Sequence, residues 1–191
     1  NWYKAALVSA GNYSDQGSPP ITPAWSSLWL RDKLFDYGYT RVDTVIWWGN
    51  PQTPQEGTAR IANSINQGVG VVAYRGWGAI NGWQYPEFYN NNVEQLTNGA
   101  MTPVVVSIVC QTAKFVALGV ESCFGEVWLQ CGTLATPKGG VGFYGPTELH
   151  TKTNWNNAIY AGFFEGLLEE NLCRLGQAVV RSKLATYYGY P

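Results

Sequence analysis

Short apolar runs rich in β-branched residues, each cut off within one turn-forming segment, constrain this chain more than any other feature. Ala5–Ala10 stops at Gly11-Asn12, Thr40–Trp48 stops at Gly49-Asn50-Pro51, and Val69–Tyr74 stops at Arg75-Gly76-Trp77-Gly78. Thr102–Cys110 stops at Gln111-Thr112, and Val141–Tyr144 supplies a fifth run. Runs this short and this continuously apolar read as strands buried on both faces. Between them lie segments with helical periodicity. Ser26 or Ser27 is expected to cap a helix carrying Leu30, Leu34 and Tyr37, and Gly38 stops it. Thr53-Pro54-Gln55-Glu56 opens a second helix through a cap, a first-turn proline and a capping-box acid. A short helix is expected around Val93 and Leu96, another from Cys123 to Cys131, and two more over Trp155–Glu170 and Leu172–Tyr187. The aromatic stretch Ala79–Tyr89 is expected to be a long loop. Buried strands alternating with capped helices predict an α/β fold: a mostly parallel sheet between two helical layers, a three-layer α/β/α sandwich.

At 191 residues and 46% hydrophobic content, the chain is expected to form a single domain, 1–191, with one substantial core. Its 12 basic and 13 acidic side chains nearly cancel, which gives no basic field for nucleic acid or an anionic membrane. No apolar run approaches the ~20 residues of a membrane span, so no membrane insertion is expected. The chain begins at Asn1 without a basic leader and apolar h-region, and is expected to be an excised or processed segment. The cysteines at 110, 123, 131 and 173 show no metal-ligand spacing, so neither a zinc site nor any other metal or cofactor is read from them. On a shared helix, Cys123 and Cys131 would stand about 12 Å apart at ~1.5 Å per residue, too far for a disulfide, and free thiols are expected.

In open parallel sheets functional groups gather beyond the carboxyl ends of the strands. That rule selects the Gly11–Pro23 loop, Arg75-Gly76-Trp77-Gly78, Cys110-Gln111-Thr112 and Gly145–Thr153. Cys110 ends the most apolar strand, where a thiol serves either as nucleophile or as a small buried filler, and position alone leaves both open. Gly76-Trp77-Gly78 allows tight backbone geometry around one large ring. Arg75 has two readings, a contact to a ligand carboxylate and an ion pair with Glu87.

Several segments resemble the gingipain family of clan CD cysteine peptidases. Trp2-Tyr3-Lys4-Ala5-Ala6-Leu7, Tyr37-Gly38-Tyr39-Thr40 and Gln95-Leu96-Thr97-Asn98 are similar to family segments, and so is the stretch from Val109-Cys110 to Cys123-Phe124-Gly125-Glu126. The resemblance implies a caspase-like fold and puts Cys110 at the nucleophile position. Where the family carries Gly-His-Gly, its histidine moving the proton and the following glycine amide lining the oxyanion hole, this chain has Gly76-Trp77-Gly78. An indole only donates and takes no proton. General acid–base help is typically worth ~10²–10⁴ in rate.

By the same resemblance Gly78 supplies an oxyanion amide, and Asp15 resembles the family's histidine-orienting acid. The loop holding His150, the chain's one histidine, resembles the wall of the specificity pocket. Trp83 and Tyr85 are expected to line a peptide-binding cleft with Trp77. Structural calcium or sodium is possible by resemblance, and no other cofactor is implied. The implied activity is cysteine-type endopeptidase hydrolysis of a peptide or protein substrate, with a pseudopeptidase binding or structural module as the alternative. The resemblance also implies an exported, cell-surface or extracellular protein in which other domains of the same larger chain are partners.

Overall fold

The computed structural model describes residues 1–13, 21–49, 52–116, 119 and 121–190. Five strands, β1 (Ala5–Ala10), β2 (Arg41–Ile46), β3 (Val71–Arg75), β7 (Val104–Ile108) and β8 (Gly142–Tyr144), form one sheet in the order β2-β1-β3-β7-β8. All four pairings are parallel. Three shorter strands, β4 (Gly78–Ala79), β5 (Gly82–Gln84) and β6 (Glu87–Tyr89), make a separate antiparallel sheet. This small sheet replaces the loop expected over Ala79–Tyr89; its strands are two or three residues long, too short for a periodic signal to register.

The helices are α1 (Pro23–Asp36), α2 (Thr58–Asn66), α3 (Asn90–Glu94), α4 (Phe124–Gln130), α5 (Thr153–Leu168) and α6 (Leu175–Gly189). Helix α1 begins earlier than expected. Thr22, not Ser26 or Ser27, is its cap, with its hydroxyl accepting the Trp25 amide at 3.1 Å and Pro23 in the first turn. Both serines are buried inside the helix. At the other end Gly38 takes a φ of 94°, and the amides of Gly38 and Tyr39 return to the carbonyls of Phe35 and Leu34. That closure accounts for the Tyr-Gly-Tyr-Thr segment, since a left-handed residue is needed there. At Thr53 the Glu56 carboxylate accepts the Thr53 amide at 3.0 Å, but the first turn, Pro54–Gly57, is a 3₁₀ turn before α2 starts.

The period of the strands assigns alternate residues to opposite faces. One face carries Leu7, Val72, Tyr74 and Val105 beneath Ile61 and Ile65 of α2, Val93 of α3 and Phe124 and Trp128 of α4. The other carries Val8, Ala73, Val106 and Ile108 beneath Leu30 and Leu34 of α1, Tyr160, Phe163 and Phe164 of α5 and Ala178 of α6. The expected α/β/α layering is thus present. No described helix is long and apolar enough to cross a membrane.

Trp83 belongs to the first of these cores. It is fully buried, stacks on Tyr74 with ring centroids 4.4 Å apart, and donates its indole N–H to Ser107 Oγ at 2.9 Å. Trp83→Ala is therefore expected to cost about 3–5 kcal/mol in urea denaturation, as truncation of a large buried ring does. Trp48→Ala, at a side chain 55% exposed, should shift stability by less than about 0.5 kcal/mol.

Candidate functional site

The register of β3 with β7 pairs Arg75 with Ile108. Two residues further along each chain stand Trp77 and Cys110, so both lie past the carboxyl ends of adjacent strands. The backbones are close there: a β-carbon at Gly78 would stand 3.0 Å from the γ-carbons of Val109.

Cys110 is half-buried. Its sulfur has Thr151 Oγ1 at 3.8 Å, and that hydroxyl accepts the Asn156 side-chain amide at 2.8 Å. Gln111 adopts a φ of 58°, in the left-handed region that side chains rarely occupy. The bend is held from outside, by the Gln111 amide on Glu148 O (3.1 Å) and the Ala113 amide on Pro146 O (3.0 Å). From beneath, Thr112 Oγ1 is 3.1 Å from Ser107 Oγ and donates toward the Val109 carbonyl. Trp83 therefore braces the loop at Cys110 through Ser107 and, being fully buried, lines no cleft. The Cys-Phe-Gly-Glu segment has a similar bracing role. The Gly125 amide bonds Thr112 O at 2.8 Å, and any β-carbon there would meet the Phe143 ring at 2.8 Å. Glu126 accepts the Cys123 amide at 2.8 Å, as a helix-capping acid does.

Trp77 sits among three other rings from the same edge of the sheet. Its ring centroid is 4.4 Å from that of Tyr13, 5.1 Å from Tyr85 and 6.0 Å from Trp47, and Trp47 and Tyr85 are 4.6 Å apart. The Tyr74 hydroxyl lies 2.8 Å from Trp77 O and 2.9 Å from Tyr85 O, sharing one proton between them. Burial pushes that phenol far above its ordinary range, so it stays a donor. Gly76 is required by the approach of Tyr74, whose hydroxyl would stand 2.4 Å from a β-carbon there. Tyr13 and Trp47 escaped the sequence reading because each looks like an ordinary aromatic at a strand end.

Arg75 does not pair with Glu87, which instead accepts from Gln55 at 2.8 Å. The guanidinium is fully buried on the opposite face, bonded to Ile108 O (2.8 Å) and to Asn157 Oδ1 (2.5 and 3.2 Å). The alternation of the strand aims residue 75 toward α5, away from β6. His150 is exposed and makes no hydrogen bond among the described residues; its neighbour Thr151 is the residue that reaches the Cys110 sulfur. Asp15 lies outside the described residues. All four cysteines are free thiols, and burial pushes Cys123 and Cys131 up. No group of three or more His, Cys, Asp or Glu side chains converges among the described residues.

Chemically the arrangement offers a thiol with no imidazole among its hydrogen-bond partners, a hydroxyl, and a Cys110 amide that meets no backbone acceptor among the described residues. It can donate hydrogen bonds to a carbonyl oxygen. Among the described residues, the one side chain in hydrogen-bond contact with the thiol is the Thr151 hydroxyl, which is not a base.

The profile of peptidase family C25 matches residues 1–189. Gingipain R2 of Porphyromonas gingivalis is 28% identical over 150 residues, covering 76% of this chain and 19% of that protein. For gingipain R1 of the same organism the identity is also 28%, over 76% of this chain and 14% of the protein. This chain thus spans a fifth or less of the length of these relatives. Among solved structures, the Arg-specific cysteine proteinase gingipain R (RgpB) gives a TM-score of 0.85 at 22% identity, over 99% of this chain and 43% of that one. The complex of the P. gingivalis RgpB pro- and mature domains gives 0.83 at 21% identity, over 99% and 44%. The likeness to the solved structures is one of fold, mainly parallel sheet and flanking helices included, and the match of the family profile across nearly every residue decides the membership: the chain belongs to peptidase family C25.

Proposed function

We propose that this chain is the nucleophile-bearing unit of a larger exported peptidase-family protein, and that it binds peptides without hydrolysing them efficiently. One observation carries the reading: Trp77, at the position of the family's histidine, is packed against Tyr13, Trp47 and Tyr85. A ring held on three sides by other rings is not free to yield its place to a base. Loss of general acid–base help costs ~10²–10⁴ in rate, and cysteines without a basic partner are only a few per cent thiolate at neutral pH. Peptide binding is supported by the unengaged Cys110 amide and by half-buried aromatic surface at the same edge of the sheet. The near-neutral charge favours a peptide or protein partner over nucleic acid. Other domains of the same larger protein are the further partners this reading implies.

Cysteine-type endopeptidase activity is the second reading, and retention of Cys110 beside that amide favours it. It requires a base other than residue 77, and His150 is the one imidazole the chain offers.

Iodoacetamide labelling at neutral pH, read at Cys110 by mass spectrometry because Cys173 is exposed and will label too, separates the two readings. Trp77→His is expected to raise the Cys110 labelling rate by about tenfold or more, since an imidazole beside a thiol favours the thiolate. The same variant is expected to lose about 2 kcal/mol of stability to the space it opens within the aromatic cluster. The parent chain should leave a mixed fluorogenic peptide library uncut over hours. Brisk cleavage abolished by His150→Ala would instead establish His150 as the base and end the non-hydrolysing reading.

A further inference from the structure

Beside Cys110 lies a cavity of about 380 Å³, the size of sites that enclose small ligands. Thr151, whose hydroxyl approaches the Cys110 sulfur to 3.8 Å, is part of its wall, so a peptide held at Cys110 can send a side chain into it. Ile108, Tyr144, Pro146 and Ile159 give the cavity an apolar lining, and its two charged residues, Glu148 and Lys183, are of opposite sign.

Directly behind that lining is a positive charge. The Arg75 guanidinium is fully buried and bonds the carbonyl of Ile108, itself a wall residue, at 2.8 Å. It also bonds Asn157 Oδ1 and, at 3.4 Å, Thr153 O, both on the helix that carries Ile159. None of the five ion pairs among the described residues includes it. A buried cation balanced by neutral acceptors keeps its field in a poorly screened interior and repels another cation brought to the far side of the same wall. Four of its five N–H groups are already committed to Ile108, Asn157 and Thr153, which leaves little of it to grip an anion, and in the wall the charges of Glu148 and Lys183 offset one another.

Resting on the peptide-binding reading above, we infer that this cavity takes an uncharged apolar side chain of the bound peptide, of the leucine class, and discriminates against arginine. The relative described as an Arg-specific proteinase differs from it in that respect.

The test uses three acetylated tripeptide amides identical except for a C-terminal Leu, Arg or Glu, titrated into the full chain and read by calorimetry. The Leu peptide is expected to bind at least about tenfold more tightly than the other two, the discrimination that a pocket's shape and charge can supply. Ile159→Trp, which fills the cavity, should weaken the Leu peptide by at least about tenfold, with circular dichroism confirming an intact fold. Arg75→Met should reduce the discrimination against Arg, while Arg75→Lys, which keeps the charge, should preserve it. If Arg75→Met does not fold, the parent series, Arg75→Lys and Ile159→Trp still decide. Arg binding as tightly as Leu overturns the inference and leaves peptide binding standing. Glu binding most tightly also overturns it, by making Arg75 a direct anion contact. A Leu affinity untouched by Ile159→Trp overturns the assignment to this cavity. Binding of none of the three removes the peptide-binding function itself, and the inference with it.

Discussion

The site depends on the parallel register between β3 and β7. Pairing Arg75 with Ile108 brings the two strand ends level, and the next two residues of each chain become Trp77 and Cys110. Because side chains alternate along a strand, a slip of one residue would exchange the faces of the whole set. Arg75 would then leave α5, and Tyr74 would leave the Trp83 stack. The register is held by burial on both faces, and additionally by the guanidinium that crosses from β3 to the Ile108 carbonyl. Few other contacts in the molecule tie so many segments together: through Asn157, which also donates to Ile21 O, the same side chain reaches α5 and the approach to α1.

Around this frame the carboxyl edge of the sheet has been given over to packing. Strands β1, β2 and β3 each deliver a ring just beyond their ends, Tyr13, Trp47 and Trp77, and Tyr85 closes the group from the small antiparallel sheet. Aromatic pairs at these separations gain about 0.5–1.5 kcal/mol beyond their area. Trp77 is thus one member of a packed group, and a change at it is felt by Tyr13, Trp47 and Tyr85. Beside that cluster Cys110 stands on its own bend, held by the Glu148 and Pro146 carbonyls, with no imidazole among its hydrogen-bond partners.

The fold rests on the two cores flanking the sheet more than on the groups at this edge. Identity of 22% suffices for a TM-score of 0.85 over nearly the whole chain. In this chain the frame is held by the buried strand residues and the loop anchors beneath them. Asn98, bonded to Gly139 in both directions and to Met101 O, and Gly125, pressed against Phe143, are examples. These positions are braces: they serve packing and the pairing of backbone groups.

By itself the sequence determined the layers, the five sheet strands and the six helices to within a few residues, because apolar period and capping chemistry are local. It also determined that Cys110 and Trp77 would share an edge, since both follow apolar runs that a parallel sheet aligns. Where two local signals competed, the nearer-looking one misled. Ser26 and Ser27 looked like caps although Thr22-Pro23 is the true start, and Ala79–Tyr89 looked like a loop because its strands are shorter than any period. Only the tertiary structure decided which aromatics are core and which are site. Trp83 and Trp77 stand six residues apart in similar company, yet one is sealed beneath Ser107 and the other lies in the open cluster, a difference set by neighbours distant in sequence. The same holds for Arg75. Its charge could be read from the chain, but its partners, Ile108, Thr153 and Asn157, are 33, 78 and 82 residues away, and hydrogen bonds over such separations exist only once the sheet and its covering helices have assembled.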